Sequence, residues 1–152
     1  MSIKGPRGVE LVQGEPITLA ASAARTAGAN GTSIFVGGER SWFMFLLNIA
    51  NASATDAGDT LDVYIDFSLD DSVWINVVHF TQRAGNAAAA NIYTATVYPT
   101  LASAAPVDVT NDVAAGIIRT TILGSYVRAR WAIADSGNGN SSHTFSVMAY
   151  AL

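Results

Sequence analysis

Every second residue from Leu61 to Leu69 is apolar. Leu61, Val63, Ile65, Phe67 and Leu69 share one face, and Asp62, Tyr64, Asp66 and Ser68 share the other. That period of two is the mark of a half-buried β-strand. Asp70-Asp71-Ser72 then predicts a turn and "VWINVVHF" a returning strand, so residues 61–81 read as a β-hairpin. A second alternation sets Val127, Ala129, Trp131 and Ile133 against Tyr126, Arg128, Arg130 and Ala132. After the loop "DSGNGNSS", a third sets Phe145, Val147 and Ala149 against Thr144, Ser146, Met148 and Tyr150. These last two runs are expected to pair as a closing hairpin with a flexible tip.

Further strands are expected at "SIFV", "NIYTATVY" and "AGIIRTTIL", which are rich in β-branched and aromatic residues and bounded by Gly or Pro. "RSWFMFLLNIA" is apolar on both faces, with Phe43, Phe45, Leu47 and Ile49 on one side and Trp42, Met44 and Leu46 on the other. A strand of this kind is central to a covered sheet or lies in a subunit interface; a helix over the same run is the alternative. Seven or eight short strands with no amphipathic helix predict an all-β fold, a jelly-roll-like β-sandwich or barrel. Residues 1–32 alternate little and are rich in Ala, Gly and Ser. They read as an extended N-terminal arm to a sandwich domain at 33–152, an arm that becomes ordered by lying on a neighbour.

Composition adds the expectation of self-association. Only 13% of the 152 residues are charged and 50% are hydrophobic, against about 25% charged in typical soluble domains. Oligomer interfaces are depleted in charge. The net charge of −4, with Lys4 as the only lysine, argues against a partner held through many phosphates, so no nucleic acid is expected. No cysteine is present to form disulfides or thiolate metal sites. Glu10, Glu15 and Pro16 interrupt the one stretch resembling a signal peptide, and no apolar run approaches the ~20 residues of a membrane helix. The chain is therefore expected to be soluble and unprocessed, with no membrane partner.

Candidate chemistry is sparse. His79 and His143 have no partner at i+2 or i+4, no nucleophile motif accompanies them, and His143 is expected to be exposed beside its loop. Asp56, Asp59, Asp62, Asp66, Asp70 and Asp71 raise the question of calcium, and "DSGNGN" begins like a calcium loop. Yet Gly137 and Gly139 stand where oxygen ligands belong, and Ser146 where the glutamate belongs. Trp42, Trp74 and Trp131 read as packing or interface residues rather than sugar platforms. Arg128 and Arg130 share a face with Tyr126; they either bind an acidic partner or pair with Asp62 and Asp66 across strands. No enzyme and no cofactor is expected.

"LDVYIDFSLDDSVWINVVHFTQ" and the closing "GSYVRARWAIADSGNGNSSHTFSVMA" resemble small β virion structural proteins encoded among the head and tail genes of tailed bacteriophages. The resemblance spans roughly residues 60–152 and lies in structural motifs: a Ser-x-Asp turn before a tryptophan, an "HFTQ"-like close, and a final "YVR-R-W-I … FTFSV" segment. It implies a capsid decoration, or cement, protein made in the host cytoplasm and carried on the outer surface of the phage head. It also implies a trimer whose N-terminal arm clasps the major capsid protein. On that reading Trp42, Phe43, Met44, Phe45, Leu46, Tyr126, Arg128 and Arg130 are the candidate subunit contacts. Ile3, Val9, Leu11, Val12 and Ile17 are the candidate capsid contacts. The alternatives are a tail or receptor-binding module touching host glycans, and a lectin or carbohydrate-active enzyme.

Overall fold

The computed structural model describes residues 2–4, 10–12, 15–37, 42–51, 56, 58–85, 90–98, 109–119, 124–137 and 139–151. In chain order the strands are β1 (Ser2–Lys4), β2 (Glu10–Val12), β3 (Ile17–Arg25), β4 (Ala29–Asn30), β5 (Ile34–Phe35), β6 (Phe43–Asn51), β7 (Thr60–Ser68), β8 (Ile75–His79), β9 (Arg83–Ala84), β10 (Asn91–Val97), β11 (Ile117–Ile118), β12 (Tyr126–Ala134) and β13 (His143–Ala151). The described residues contain no helix, so the two-faced run at Trp42–Ile49 is a strand.

All pairing is antiparallel. One sheet has the order β10-β6-β13-β3. The other has the order β11-β8-β7-β12-β4, with β5 also on β12 and β9 also on β7, while β1 and β2 pair with each other. The two larger sheets pack face to face. Phe43 and Phe45 of β6 meet Phe67 of β7 edge-on at 5.1 and 6.1 Å, and Trp131 of β12 meets Phe145 of β13 at 5.6 Å. Phe43, Phe45, Phe67 and Phe145 are buried among Leu47, Ile49, Leu61, Val63, Ile65 and Val127. Each is the inward member of an alternating strand, which is why the alternation of apolar positions predicts the core so directly.

The β7–β8 hairpin forms as expected and turns on Asp70. Its carboxylate accepts the Ser72 and Val73 amides, both at 2.9 Å, and the hydroxyls of Ser72 and Ser68. Asp71 takes the left-handed conformation, with φ of 62°, which Asp tolerates better than bulkier residues. At this same end of β7, Gly124 lets the chain enter β12, since a Cβ there would collide with the backbone of Ser68.

Three expectations need correction. β12 and β13 form no hairpin: β12 lies beside β7 in one sheet and β13 between β6 and β3 in the other. Alternation fixes which face of a strand is buried but not which strand lies beside it, and these two strands face each other across the core. Their connection is not a loose tip either. The Asp135 carboxylate accepts the amides of Gly137 (2.8 Å), Gly139 (3.1 Å) and Ser141 (3.2 Å), with both glycines at positive φ. Finally, residues 17–30, assigned to the arm, contribute β3 and β4 to the sandwich. Ile17, Leu19 and Ala20 of β3 are buried against β13; small alanines along the rest of β3 had hidden the strand.

Candidate functional site

The outward positions of β7, β8 and β12 build a polar cluster on the seven-stranded sheet. Asp66 of β7 stands opposite Arg128 of β12, and Tyr64 opposite Arg130. The pairing of β7 with β8 slips by one residue between Ile65 and Asp66, where Val77 is extra. Asn76 is outward by alternation with Ile75, and the β-bulge at Val77 then shifts the facing of the residues beyond it, turning His79 onto the same outer face. Sequence periodicity alone would have placed His79 with Ile75 and Val77.

Asp66 is the hub. One carboxylate oxygen, Oδ2, accepts Nε of Arg130 at 3.0 Å and Nε and Nη2 of Arg128 at 3.3 Å, and Oδ1 accepts Nδ2 of Asn76 at 3.2 Å. Asp66 is only 2% exposed despite lying on an outer face. The Arg128 guanidinium lies over Trp74 at 4.1 Å and that of Arg130 over Tyr64 at 4.0 Å, and Tyr64 stacks on His79 at 4.2 Å. Burial alone would lower the pKa of Arg130, but its bonds to Asp66 and Asp112 outweigh this and raise it. The Tyr64 pKa is raised by burial and by the charges of Asp62 and Asp112, against the opposing effect of Arg130.

Residues 109–119 are latched over this cluster. The Val113 amide donates to Oδ1 of Asn76 (3.0 Å), and Nδ1 of His79 lies 2.9 Å from the Val113 carbonyl. Arg119 donates to the Asn76 carbonyl at 2.9 Å, and Arg130 reaches Asp112 at 2.7 Å. The other His79 nitrogen, Nε2, lies 2.7 Å from Asp62. Both ring nitrogens thus face protein oxygens, which leaves neither open to a substrate. The cross-strand pairing expected for the arginines is present, with the difference that both converge on Asp66 while Asp62 holds His79 and Gln82.

His143, expected to be exposed, is fully buried, as is the neighbouring Ser141. Its Nε2 lies 3.4 Å from the Ser141 hydroxyl, while Nδ1 is buried without a hydrogen-bond partner. Burial lowers the His143 pKa, and the Asp59 charge opposes this only in part. Ser141 and His143 have no access to a substrate. Among the described residues no three His, Asp or Glu side chains converge as a metal site requires, and no helix is long and apolar enough to cross a membrane. A recess of about 90 Å³ between Tyr93, Thr94, His79 and Ile118 is well below the ~300–1,000 Å³ of pockets that enclose small ligands.

The outer face of the four-stranded sheet contrasts with all of this. Its strands carry one formally charged residue, Arg25. That guanidinium folds onto the rings of Trp131 and Phe145 and donates to the carbonyls of Ala21, Ala23 and Phe145. The outward residues run in rows across the sheet: Tyr150, Met44 and Thr96, then Met148, Leu46 and Thr94, then Ser146, Asn48 and Ile92. Trp42 leans on Tyr150 at 6.2 Å. Met44, Ile92 and Tyr98 are among the large apolar side chains left exposed.

Of the candidate subunit contacts, Trp42, Met44 and Leu46 border or lie on this face, while Phe43 and Phe45 are committed to the core. Tyr126 packs edge-on against Phe35 at 5.2 Å, and Arg128 and Arg130 serve the Asp66 cluster. Of the candidate arm contacts, Ile17 is a core residue, Ile3 is paired with Leu11 in the β1–β2 ladder beside Val12, and Val9 lies outside the described residues. No protein-family model matches the chain, and no match was found among curated proteins or solved structures.

Proposed function

We propose that this chain is a structural protein of a tailed-phage virion that decorates the head shell and works by contact rather than catalysis. The observation that carries the reading is the partly apolar outer face of the four-stranded sheet, whose strands hold no carboxylate and one guanidinium, set against an opposite face on which Asp66, Arg128 and Arg130 pair within the chain. A protein of this kind stabilises a shell by burying apolar area, worth about 25 cal/mol per Å², and by binding only the assembled state. The jelly-roll arrangement belongs to the same proposal. It is supported by a chain that passes repeatedly from one sheet to the other: β3 to β4, β5 to β6, β6 to β7, β9 to β10, β10 to β11 and β12 to β13. The partners are further copies of the chain and the major capsid protein, and the place is the outer surface of the head.

The glycan-binding alternatives need an indole open beside carboxylates or amides. Trp74 and Trp131 instead each have an arginine against one ring face, at 4.1 and 4.7 Å. The test is to mix the protein with undecorated capsids and measure co-sedimentation and capsid heat resistance, with the full chain and with residues 1–14 removed. Binding and heat protection are expected from the full chain, weakened without residues 1–14. Absence of binding by the full chain would overturn the reading.

A further inference from the structure

The rows Tyr150–Met44–Thr96 and Met148–Leu46–Thr94 bring methionine, leucine and tyrosine side chains together towards one end of the face, on β13 and β6, with Thr94 and Thr96 beside them on β10 and Ser146 and Asn48 in the next row. Met, Tyr and Trp are enriched at protein interfaces, whereas Lys, Glu and Asp are depleted. We infer that a second copy of this chain covers this face, sheet against sheet, in a two-fold pair centred near Met44 and Met148. The inference rests on the reading of the chain as a contact protein and names the occupant of its bare surface.

Charge selects that occupant. The chain carries a net charge of −4, so two copies repel wherever their carboxylates approach. The strands of this sheet contain no carboxylate, and their one guanidinium is turned onto Trp131 and Phe145. A partner chosen by charge would need a charged surface to read, and among the described residues the strands of this face offer no carboxylate and only the Arg25 guanidinium, which is folded onto two rings. A copy of the same face meets it without an unpaired charge on either side.

Area agrees. Four strands about 4.8 Å apart, with a rise of about 3.3 Å over nine residues, make a face of roughly 19 by 30 Å. That is ~570 Å² in projection, near the ~600 Å² per partner at the lower bound of stable interfaces. Side-chain relief and the flanking Trp42 and Tyr98 extend it. One self-complementary patch closes as a two-fold pair, whereas a three-fold ring needs two different patches on each copy.

Light scattering after size exclusion is expected to give twice the chain mass of 15.8 kDa at micromolar concentration. Met44→Glu and Met148→Glu should each return the chain mass with an unchanged near-UV spectrum, because carboxylates would then face each other across the axis. The chain lacks cysteine, so single replacements report proximity without background. Met148→Cys should form an oxidised dimer, and Ala132→Cys, on the opposite sheet, should not. A monomeric or three-fold wild type, pairing that survives both glutamates, or equal cross-linking at Ala132 would overturn the inference. Should the glutamate variants fail to fold, the cysteine pair decides. Capsid binding by a chain that stays monomeric defeats the pairing and leaves the decoration reading standing; a stable pair that ignores capsids does the reverse.

Discussion

The two sheets share one core, yet their outer faces solve opposite problems. On the seven-stranded sheet, Asp66 sits beneath Arg128 and Arg130 with Asn76 beside it, His79 bridges Asp62 and Val113, and residues 109–119 close over them. On the four-stranded sheet, Met44, Leu46, Met148 and Tyr150 stand above the strands with no charge among them. A charge removed from water is costly unless it is paired, so the first face must be complete within the chain. An apolar side chain left in water is tolerated alone and gains by being covered, so the second face is available to a partner.

That contrast breaks most severely at Asp66. Asp66→Ala leaves two half-buried guanidiniums without their carboxylate and is expected to cost about 3–5 kcal/mol, seen as a lower midpoint in urea. Asn76→Ala removes donations to Asp66, the Ile65 carbonyl and the Val78 carbonyl, together with the acceptor for the Val113 amide. Its expected cost is about 2 kcal/mol, with faster hydrogen exchange across residues 109–119 than across β12.

His143 sharpens the comparison from inside the core, through pH. Its folded pKa lies below the ordinary 6.5 because of burial. Between the two values the unfolded chain holds more protons, so stability rises with pH through that window. The contribution is complete above about 6.5 and is lost as pH falls toward the folded pKa. Thermal melts across that range should show the slope in the wild type and a flatter one in His143→Leu. The smallest effect belongs to the bare face: Met44→Thr should change monomer stability by no more than about 0.5 kcal/mol while weakening self-association. A large loss of monomer stability there would show that the face is already covered within the chain.

Much of this was legible in the residues. The alternation of Leu61, Val63, Ile65 and Phe67, the Asp70 turn and the two-faced run at Trp42–Ile49 each announced their element, because facing and turn chemistry are local properties. The side of β12 bearing Arg128 and Arg130 was legible for the same reason. What stayed hidden depends on partners. Nothing in the spacing of β12 and β13 says that they belong to different sheets. The extra residue at Val77 is invisible until β7 fixes the register, and with it goes the position of His79. The latch at Val113 works through a backbone amide and carbonyl, which no side-chain pattern can signal.

The place of β13 has a consequence for how the protein comes into being. A ribosome delivers β3, β6 and β10 well before His143–Ala151, yet it is this strand that lies between β3 and β6. Until it emerges, Phe43, Phe45, Leu47 and Ile49 have only β10 beside them and an unfinished layer to pack in. Folding of that sheet therefore waits on β13, and nascent chains stalled before residue 143 should be far more sensitive to protease than chains in which residues 143–151 have emerged.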